Sequence, residues 1–324
     1  MTLRVGMIGA GNMASVHAEG WVAAGDPIVG VLDPDTERAG RFSAAHGTDV
    51  VDDFLQLAAS VDVVDICTPT HTHASYIGMA AEAGVDVVCE KPLARTGPDA
   101  MAAIAACDRA GVRLLVGHVV RFFPEYATAR DLVALGDVGA VGVVRLDRST
   151  YLPAGASAWF SDHAKSGGVV HDLMIHDVDY ARWVAGDVER AYARRVADTS
   201  RGDHVLATLR HEGGAISHVQ GSWAYPVGSF RTSLEIAGSD GLIVRHVAAP
   251  FVGSVSTTEH VPDVPEPPAS SVESPYVTEI RHFSDVLQGR AEPRVTALDG
   301  ARAVAVCDAI ALSIETNRAV EAAR

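Results

Sequence analysis

The run Gly9-Ala10-Gly11-Asn12-Met13-Ala14 follows the apolar stretch Leu3-Arg4-Val5-Gly6-Met7-Ile8 and precedes residues of helical composition. A G-x-G-x-x-A pattern alone is weak, because glycines recur at this spacing by chance. Between a strand and a helix each small residue acquires a task. Gly9 permits the tight turn, Gly11 lets backbone approach a pyrophosphate, and Ala14 allows close packing of helix on strand. The phosphates then sit at the helix N-terminus, where free N–H groups and the dipole favour negative charge. Asn12 and Met13 complete this expected cofactor loop. The competing reading is an ordinary glycine turn.

A dinucleotide site also needs an acidic residue about twenty residues on, at the end of the second strand, to bind the adenosine ribose hydroxyls. Ile28-Val29-Gly30-Val31-Leu32 is a buried-strand run, and Asp33 ends it. A carboxylate there repels the 2′-phosphate of NADP, so NAD is the expected cofactor and NADP the lesser alternative. Arg38, five residues on, could soften that preference. A plain turn role beside Pro34 is the alternative for Asp33.

A length of 324 residues suggests two domains, each able to bury its own core. The boundary expected is residues 1–120 for a nucleotide-binding domain and 121–324 for a substrate-binding and oligomerisation domain. The composition, 48% hydrophobic and 21% charged, is that of a soluble globular protein. A net charge of −15 argues against nucleic acid or an anionic membrane as partner. No apolar stretch approaches the ~20 residues of a transmembrane helix. The chain runs directly into its first strand, which leaves no room for a signal peptide. Cys67, Cys89, Cys107 and Cys307 are scattered and fit reduced thiols in a cytoplasmic protein.

Strand and helix alternate over the first ~120 residues. Strands are expected at Asp49–Val51, Val61–Ile66, Asp86–Cys89 and Val112–Val116, with helices at Thr36–His46, Thr72–Gly84 and Ala100–Ala110. Such βαβ units imply a doubly wound parallel sheet, an α/β Rossmann domain, with ligands at the carboxyl ends of the strands. Asp33, Thr68 and Glu90 fall at such ends. After Phe122 the pattern changes. Helices are expected at Glu125–Leu135, His171–Ala185, Tyr276–Leu287 and Ala297–Thr316, the last a candidate to pack back on the first domain. Strands are expected at Ala140–Tyr151, Ala191–Ala197, His204–Arg210, Ala215–Trp223, Thr232–Ala237 and Leu242–His246. This second half reads as α+β with a large open, mostly antiparallel sheet. Pro262 to Pro275 reads as a proline-rich connection.

Two further segments can carry chemistry. Glu90-Lys91-Pro92 leaves the same sheet edge as the glycine loop. A lysine beside a positive nicotinamide has reason for a lowered pKa. The bland reading is a surface lysine on a constrained turn whose Lys-Pro bond is a candidate for the cis form. In His171-Asp172-Leu173-Met174-Ile175-His176, Asp172 and His176 stand at i and i+4 on a helix, sharing one face. A carboxylate beside an imidazole fixes its tautomer and raises its basicity. A structural Asp–His staple is an equal alternative. His71-Thr72-His73 with His171 and His176 could be forced into a zinc site, but no further ligand has convincing spacing, so no metal is expected.

Taken together, these motifs identify the chain as similar to the glucose–fructose oxidoreductase/inositol dehydrogenase/MocA family of NAD(P)-dependent oxidoreductases. The matching segments are Gly9–Ala14, Thr68-Pro69 with His73, and Glu90-Lys91-Pro92-Leu93. Arg121-Phe122 with Pro124, Gly167-Gly168, and Asp172 through His176 to Asp179 also match. The likeness spans nearly the whole chain and is strongest toward the inositol dehydrogenase branch. The resemblance implies a catalytic trio at Lys91, Asp172 and His176. His176 exchanges a proton with the substrate hydroxyl, Asp172 orients and charges it, and Lys91 hydrogen-bonds the same oxygen. It also implies that Thr68, Pro69, His73, Glu90 and Lys91 line the cofactor. Arg121, Trp159 and Tyr225 flank the expected cleft as substrate-contact candidates.

The activity implied is hydride transfer between nicotinamide and a secondary alcohol of a cyclitol, sugar or related polyol. Two alternatives remain at this stage: a non-catalytic dinucleotide- and sugar-binding regulator, and an NAD-assisted glycoside hydrolase. Retention of Lys91, Asp172 and His176 favours the enzyme over the regulator. An uncovered sheet face in the second half suggests a homo-oligomer, a dimer or tetramer.

Overall fold

The structure is a computed structural model that describes residues 2–152, 159–198, 202–247 and 273–323. Its first sheet is built from β1 (Val5–Ile8), β2 (Ile28–Leu32), β3 (Asp49–Val50), β4 (Val63–Ile66), β5 (Asp86–Glu90) and β6 (Leu114–Gly117). All pair in parallel, in the order β3-β2-β1-β4-β5-β6, the doubly wound arrangement. The connecting helices are α1 (Asn12–Ala24), α2 (Thr36–His46), α3 (Phe54–Ala58), α4 (His73–Ala83) and α5 (Gly97–Ala110). Local chemistry sets their starts. Asp35 caps α2, Asp53 caps α3 and Thr96 caps α5, each accepting a backbone N–H, whereas α1 begins at Gly11 with no side-chain cap.

Alternation along these strands sorts two apolar layers. Ile8, Val64, Ile66, Val87 and Cys89 face the α3–α5 side. Val5, Met7, Val63 and Val88 face the other, where Ala14, Ala18 and Trp21 of α1 meet Ile280 and Phe283 of α9 (Pro275–Leu287). The α1–α9 approach is close: a Cβ on Gly20 would lie 2.6 Å from Ile280 Cβ. By the same alternation Asp65 and Glu90 point toward α1, so two acids enter an apolar layer.

The second sheet follows α6 (Pro124–Leu135). It comprises β7 (Val141–Thr150), β8 (Val188–Asp198), β9 (Gly202–His211), β10 (Ile216–Ser222), β11 (Phe230–Gly238), β12 (Leu242–Val247) and β13 (Val320–Glu321). Their order is β12-β11-β7-β10-β9-β8-β13, antiparallel except for the β7–β10 pair. One face carries Leu146, Val205, Ala207, Leu209 and Val219 into a core shared with α8 (Ile175–Ala185) and α10 (Ala297–Thr316). The helix α10 also returns to the first sheet, where Gly300 lies against Val116 and Asp308 accepts the Gly97 N–H at 2.7 Å.

Three differences from the sequence expectation have local causes. A helix is expected through His171–Ala185, yet Val170–Met174 is a π turn that precedes α8. The helix α5 starts at Gly97 rather than Ala100, because Thr96 caps it and Pro98 suits its first turn. The short α3, α7 (His163–Ser166) and β13 carry too few residues for a periodic signal. Most of the proline-rich connection read at Pro262 to Pro275 lies outside the described residues.

Glu279 of α9 is fully buried, and neither carboxyl oxygen has a hydrogen-bond partner among the described residues. Burial first, and the Glu90 and Asp65 charges after it, raise its pKa well above the ordinary carboxylate value, against the opposing pull of His17. A group raised in this way stabilises the fold fully at pH below the unfolded value, and that contribution is lost as pH rises through the folded one. The Glu279→Gln variant is therefore expected to melt increasingly above the parent as pH rises from 5 toward 8.5. Thermal melts across that range check this, and a gap independent of pH contradicts it.

Candidate active site

The glycine loop supplies the first part of the site. Gly9 takes φ +95°, and a Cβ there would lie 2.5 Å from the Cys67 carbonyl oxygen, so backbone conformation and space both demand glycine. A Cβ on Gly11 would meet nothing within 4 Å. The ground above the loop is open, and the uncapped first turn of α1 leaves its N–H groups facing it. Asn12 is exposed and Met13 half-buried beside that space, while Ala14 is fully buried. The Asp33 carboxylate, at the end of β2, accepts the Ala10 and Asp35 N–H groups at 2.8 Å each. Arg38 forks onto the same carboxylate with both contacts at 3.1 Å. Asp33 thus shapes the glycine loop, and Arg38 offsets the charge that would repel a 2′-phosphate. These residues fit a dinucleotide.

At the ends of β4 and β5, Thr68 bonds Thr72, and Pro69 accepts from the Thr72 hydroxyl, closing a single 3-10 turn at Thr70–Thr72. The Lys91-Pro92 bond is cis. Two residues expected to line the cofactor have other work. The His73 ring is 1% exposed and lies between the Pro92 carbonyl (2.7 Å) and the Thr68 carbonyl (2.8 Å), stapling the two edge turns together. Glu90 is likewise buried, with Oε2 accepting the Lys91 N–H at 2.8 Å and Oε1 lying 3.2 Å from His17 Nε2. Both support the cofactor edge from beneath. Both side chains are buried and bonded within the edge itself.

Lys91 reaches across to the second half of the chain. Its Nζ donates to the Asp172 carbonyl at 2.7 Å and lies 3.3 Å from Asp172 Oδ1. Asp172 sits in the π turn, a geometry that re-aims side chains and recurs at functional sites. The i,i+4 reading, in which Asp172 charges His176, does not describe this arrangement. Asp172 faces Lys91, and His176 Nδ1 is buried without a hydrogen-bond partner among the described residues. Burial first, then the Lys91 and Arg148 charges and His118, lower the His176 pKa well below its ordinary value. The imidazole is neutral at pH 7 and free to accept a proton.

Arg121 is 3% exposed and does not reach a cleft. It forks onto Asp179 at 2.8 and 2.6 Å, donates to the Arg294 carbonyl at 3.0 Å and lies over the Trp183 ring. This replaces the substrate-contact expectation with a structural one. Trp159 stacks on Phe160 with centroids 4.1 Å apart, just ahead of α7. That stretch abuts the first-sheet edge, where Arg95 donates to the His163 carbonyl. Tyr225 takes the Thr150 carbonyl through its backbone N–H and sets its ring edge against His204.

Sequence reasoning passed over four residues at this site. Arg148 forks onto buried Asp177 at 2.9 and 3.0 Å and adds its charge to the field at His176. His118, 1% exposed at the end of β6, has no hydrogen-bond partner among the described residues on either ring nitrogen. Burial and the Arg121 and Lys91 cations lower its pKa, against the pull of Asp179. Tyr276 feels both Glu90 and Lys91, and His17 contacts Glu90. The legible signal was a polar residue interrupting an apolar stripe, as His17 does between Ala14 and Trp21.

A parallel nucleotide-binding sheet whose carboxyl edge meets a lysine, an aspartate and a neutral histidine defines a nicotinamide-nucleotide oxidoreductase. Residues 3–118 match the family described as "Oxidoreductase family, NAD-binding Rossmann fold", and residues 126–244 match the "GFO/IDH/MocA C-terminal domain". The chain belongs to this GFO/IDH/MocA oxidoreductase family, and its first sheet is the NAD-binding unit. It is 29% identical to an inositol 2-dehydrogenase of Rhizobium meliloti (strain 1021), over 100% of both chains. It is 30% identical to a D-apiose dehydrogenase of Paraburkholderia graminis, over 97% of this chain and 88% of that one. Among solved structures, GenD2 from gentamicin A biosynthesis in complex with NAD superposes with a TM-score of 0.87 at 26% identity, covering 100% of this chain and 97% of that one.

The Arg121 fork yields a direct test. Breaking a buried pair leaves an uncompensated charge and costs ~3–5 kcal/mol. Arg121→Ala is expected to lose stability on that scale in denaturant melts while the KM for substrate moves little. A large KM change with unchanged stability would restore the substrate-contact reading.

Proposed function

We propose that this protein oxidises a secondary alcohol of a cyclitol, sugar or related polyol with NAD as hydride acceptor, with Lys91, Asp172 and His176 as its reacting side chains. The observation that carries this reading is the Lys91–Asp172 contact, which joins an ammonium at the carboxyl edge of the first sheet to the turn that leads into His176, whose pKa the Lys91 charge helps to lower. The inositol and apiose dehydrogenases supply the substrate class by similarity. Residues 1–120 serve as the cofactor unit and 121–324 as the substrate unit, with Trp159 and Tyr225 as substrate-side candidates. We place the protein in the cytoplasm, consistent with four free cysteines.

Gly9, Gly11, Asn12 and Met13 would cradle the pyrophosphate, Asp33 the adenosine ribose, and Thr68, Pro69 and Lys91 the nicotinamide half. The bound cofactor supplies the hydride acceptor at nicotinamide C4. The chain supplies position and proton handling. His176, neutral and partly buried, accepts the hydroxyl proton of the alcohol. Lys91 donates a hydrogen bond to that same oxygen and steadies its developing negative charge. Asp172 holds the ammonium, so the lysine enters the reaction already aimed.

Lys91→Ala is expected to lower kcat by ~10²-fold or more, the scale of a positioned acid–base group, with the NAD Kd little changed. NADH absorbance over a panel of cyclitols, pentoses and anhydrosugars measures it, with NADP in parallel. Bound NAD without turnover on any polyol favours a regulator instead. Release of a chromogenic aglycone without net NADH favours glycoside hydrolysis. Because burial and neighbouring cations lower the His176 pKa, protonation removes the acceptor only below its ordinary range. The acid limb of kcat/KM for alcohol oxidation should therefore fall below pH 6.5, with a plateau through neutrality. A limb centred above 7 counts against His176 as the acceptor.

We also propose that the outward face of the second sheet joins copies of this chain. Tyr192, Leu206 and Ile216 point away from the core there and are 41%, 52% and 40% exposed. Exposed apolar residues grouped on one sheet face mark association sites. The parent is expected to run as a dimer or tetramer in light scattering, and Leu206→Asp with Ile216→Asp to shift it toward monomer. A monomeric parent at micromolar concentration overturns this.

A further inference from the structure

Beneath the edge that carries Lys91 lies a polar cluster that the reaction as described does not use. His17, on the inward stripe of α1, is fully buried. Its Nδ1 lies 2.9 and 3.1 Å from the two oxygens of Asp65, which is itself fully buried on β4. Trp21, one turn on along α1, donates its indole N–H to Asp65 at 2.7 Å, and the Cys67 thiol stands 3.5 Å from the same carboxylate. On the other side of the ring, His17 Nε2 lies 3.2 Å from Glu90 Oε1, a charge contact rather than an aligned hydrogen bond. Glu90 Oε2 in turn accepts the backbone N–H of Lys91. Glu279 approaches from α9 and closes the cluster.

The charges can be assigned group by group. Burial disfavours a charged imidazole at His17, but Asp65 outweighs it and holds the proton affinity well above the ordinary value. Burial likewise opposes an ionised Glu90, and His17 and Lys91 together overcome it. Glu279, with no partner, stays a neutral acid. One imidazolium thus stands between two carboxylates in an apolar layer. An unpaired charge in that layer would be costly, which fixes all three groups in place.

We infer that His17 is a positioning residue for Lys91: clamped on Asp65, its ring holds the Glu90 carboxylate in the one place from which it can accept the Lys91 backbone N–H. The relay ties the helix that starts at the cofactor loop to the turn that presents the ammonium. Misplacing a reacting group by about 1 Å costs up to ~10²-fold in rate. His17 therefore acts on turnover without touching substrate or cofactor.

The inference rests on the catalytic reading of Lys91, so Lys91→Ala is measured beside His17→Gln, Glu90→Ala and the double variant. Expected for His17→Gln is a kcat loss of about tenfold or more, with the NADH Kd by fluorescence within about threefold of the parent. The Lys91 amide should also exchange its hydrogen about tenfold faster or more, the size of a lost bond to a charged acceptor, while the rest of the first sheet keeps its protection. The double variant should be no slower than Glu90→Ala alone, because both act through one contact. Unchanged kcat and unchanged Lys91 amide exchange in His17→Gln overturn the inference. So do fully multiplicative losses in the double variant. If His17→Gln does not fold, Glu90→Ala carries the kcat and amide-exchange test alone, and unchanged values there overturn it too. Full turnover in Lys91→Ala sinks the catalytic reading instead, whatever His17→Gln does.

Discussion

The contact between the Lys91 ammonium and the carbonyl and carboxylate of Asp172 is the constraint on which the rest of the site depends. The two residues are 81 positions apart, one on a turn after a parallel strand and the other in a π turn before a helix. Neither sheet alone creates the site. It exists because α10 packs on both, with Gly300 against Val116 on one side and Cys307 and Ile310 in the second core on the other. The His171–Asp308 contact at 2.8 Å and the Asp308–Gly97 contact extend the same tie. Rigid elements of both halves thus hold Lys91 and Asp172 against each other.

Charge is arranged around this contact in opposite senses on its two sides. Toward His176 the neighbours are cations and low-dielectric packing, so the ring stays neutral. Toward His17 the neighbours are carboxylates, so that ring stays charged. Two histidines of one chain, both buried in the same region, are thereby given opposite protonation states by what packs against them. The neutral one suits proton acceptance, and the charged one suits holding structure.

Much of this was readable in the chain before any fold was known. Gly9 and Ala14 were legible because their demands are local: a positive φ and a small side chain at a crowded crossing. The parallel, doubly wound first sheet followed from strand–helix alternation, and the late strands from strand-like runs separated by turn residues. What could not be read was set by distance along the chain. Arg121 resembled a cleft residue until its partners Asp179 and Arg294, 58 and 173 positions away, took up its guanidinium. The bonding of the His73 ring to the Pro92 carbonyl was hidden for the same reason, since the two residues meet only in the folded chain. The Asp172–His176 pairing assumed an unbroken α-helix, and the π turn at Val170–Met174 invalidates that geometry.

Gly221 on β10 lies directly beneath this π turn, and a Cβ there would stand 2.2 Å from Met174 Cγ. Any heavier residue must displace the Met174 side chain, in the turn that also carries Asp172. Positions 221 and 174, far apart in the chain, are therefore chosen together: bulk added at one must be withdrawn from the other.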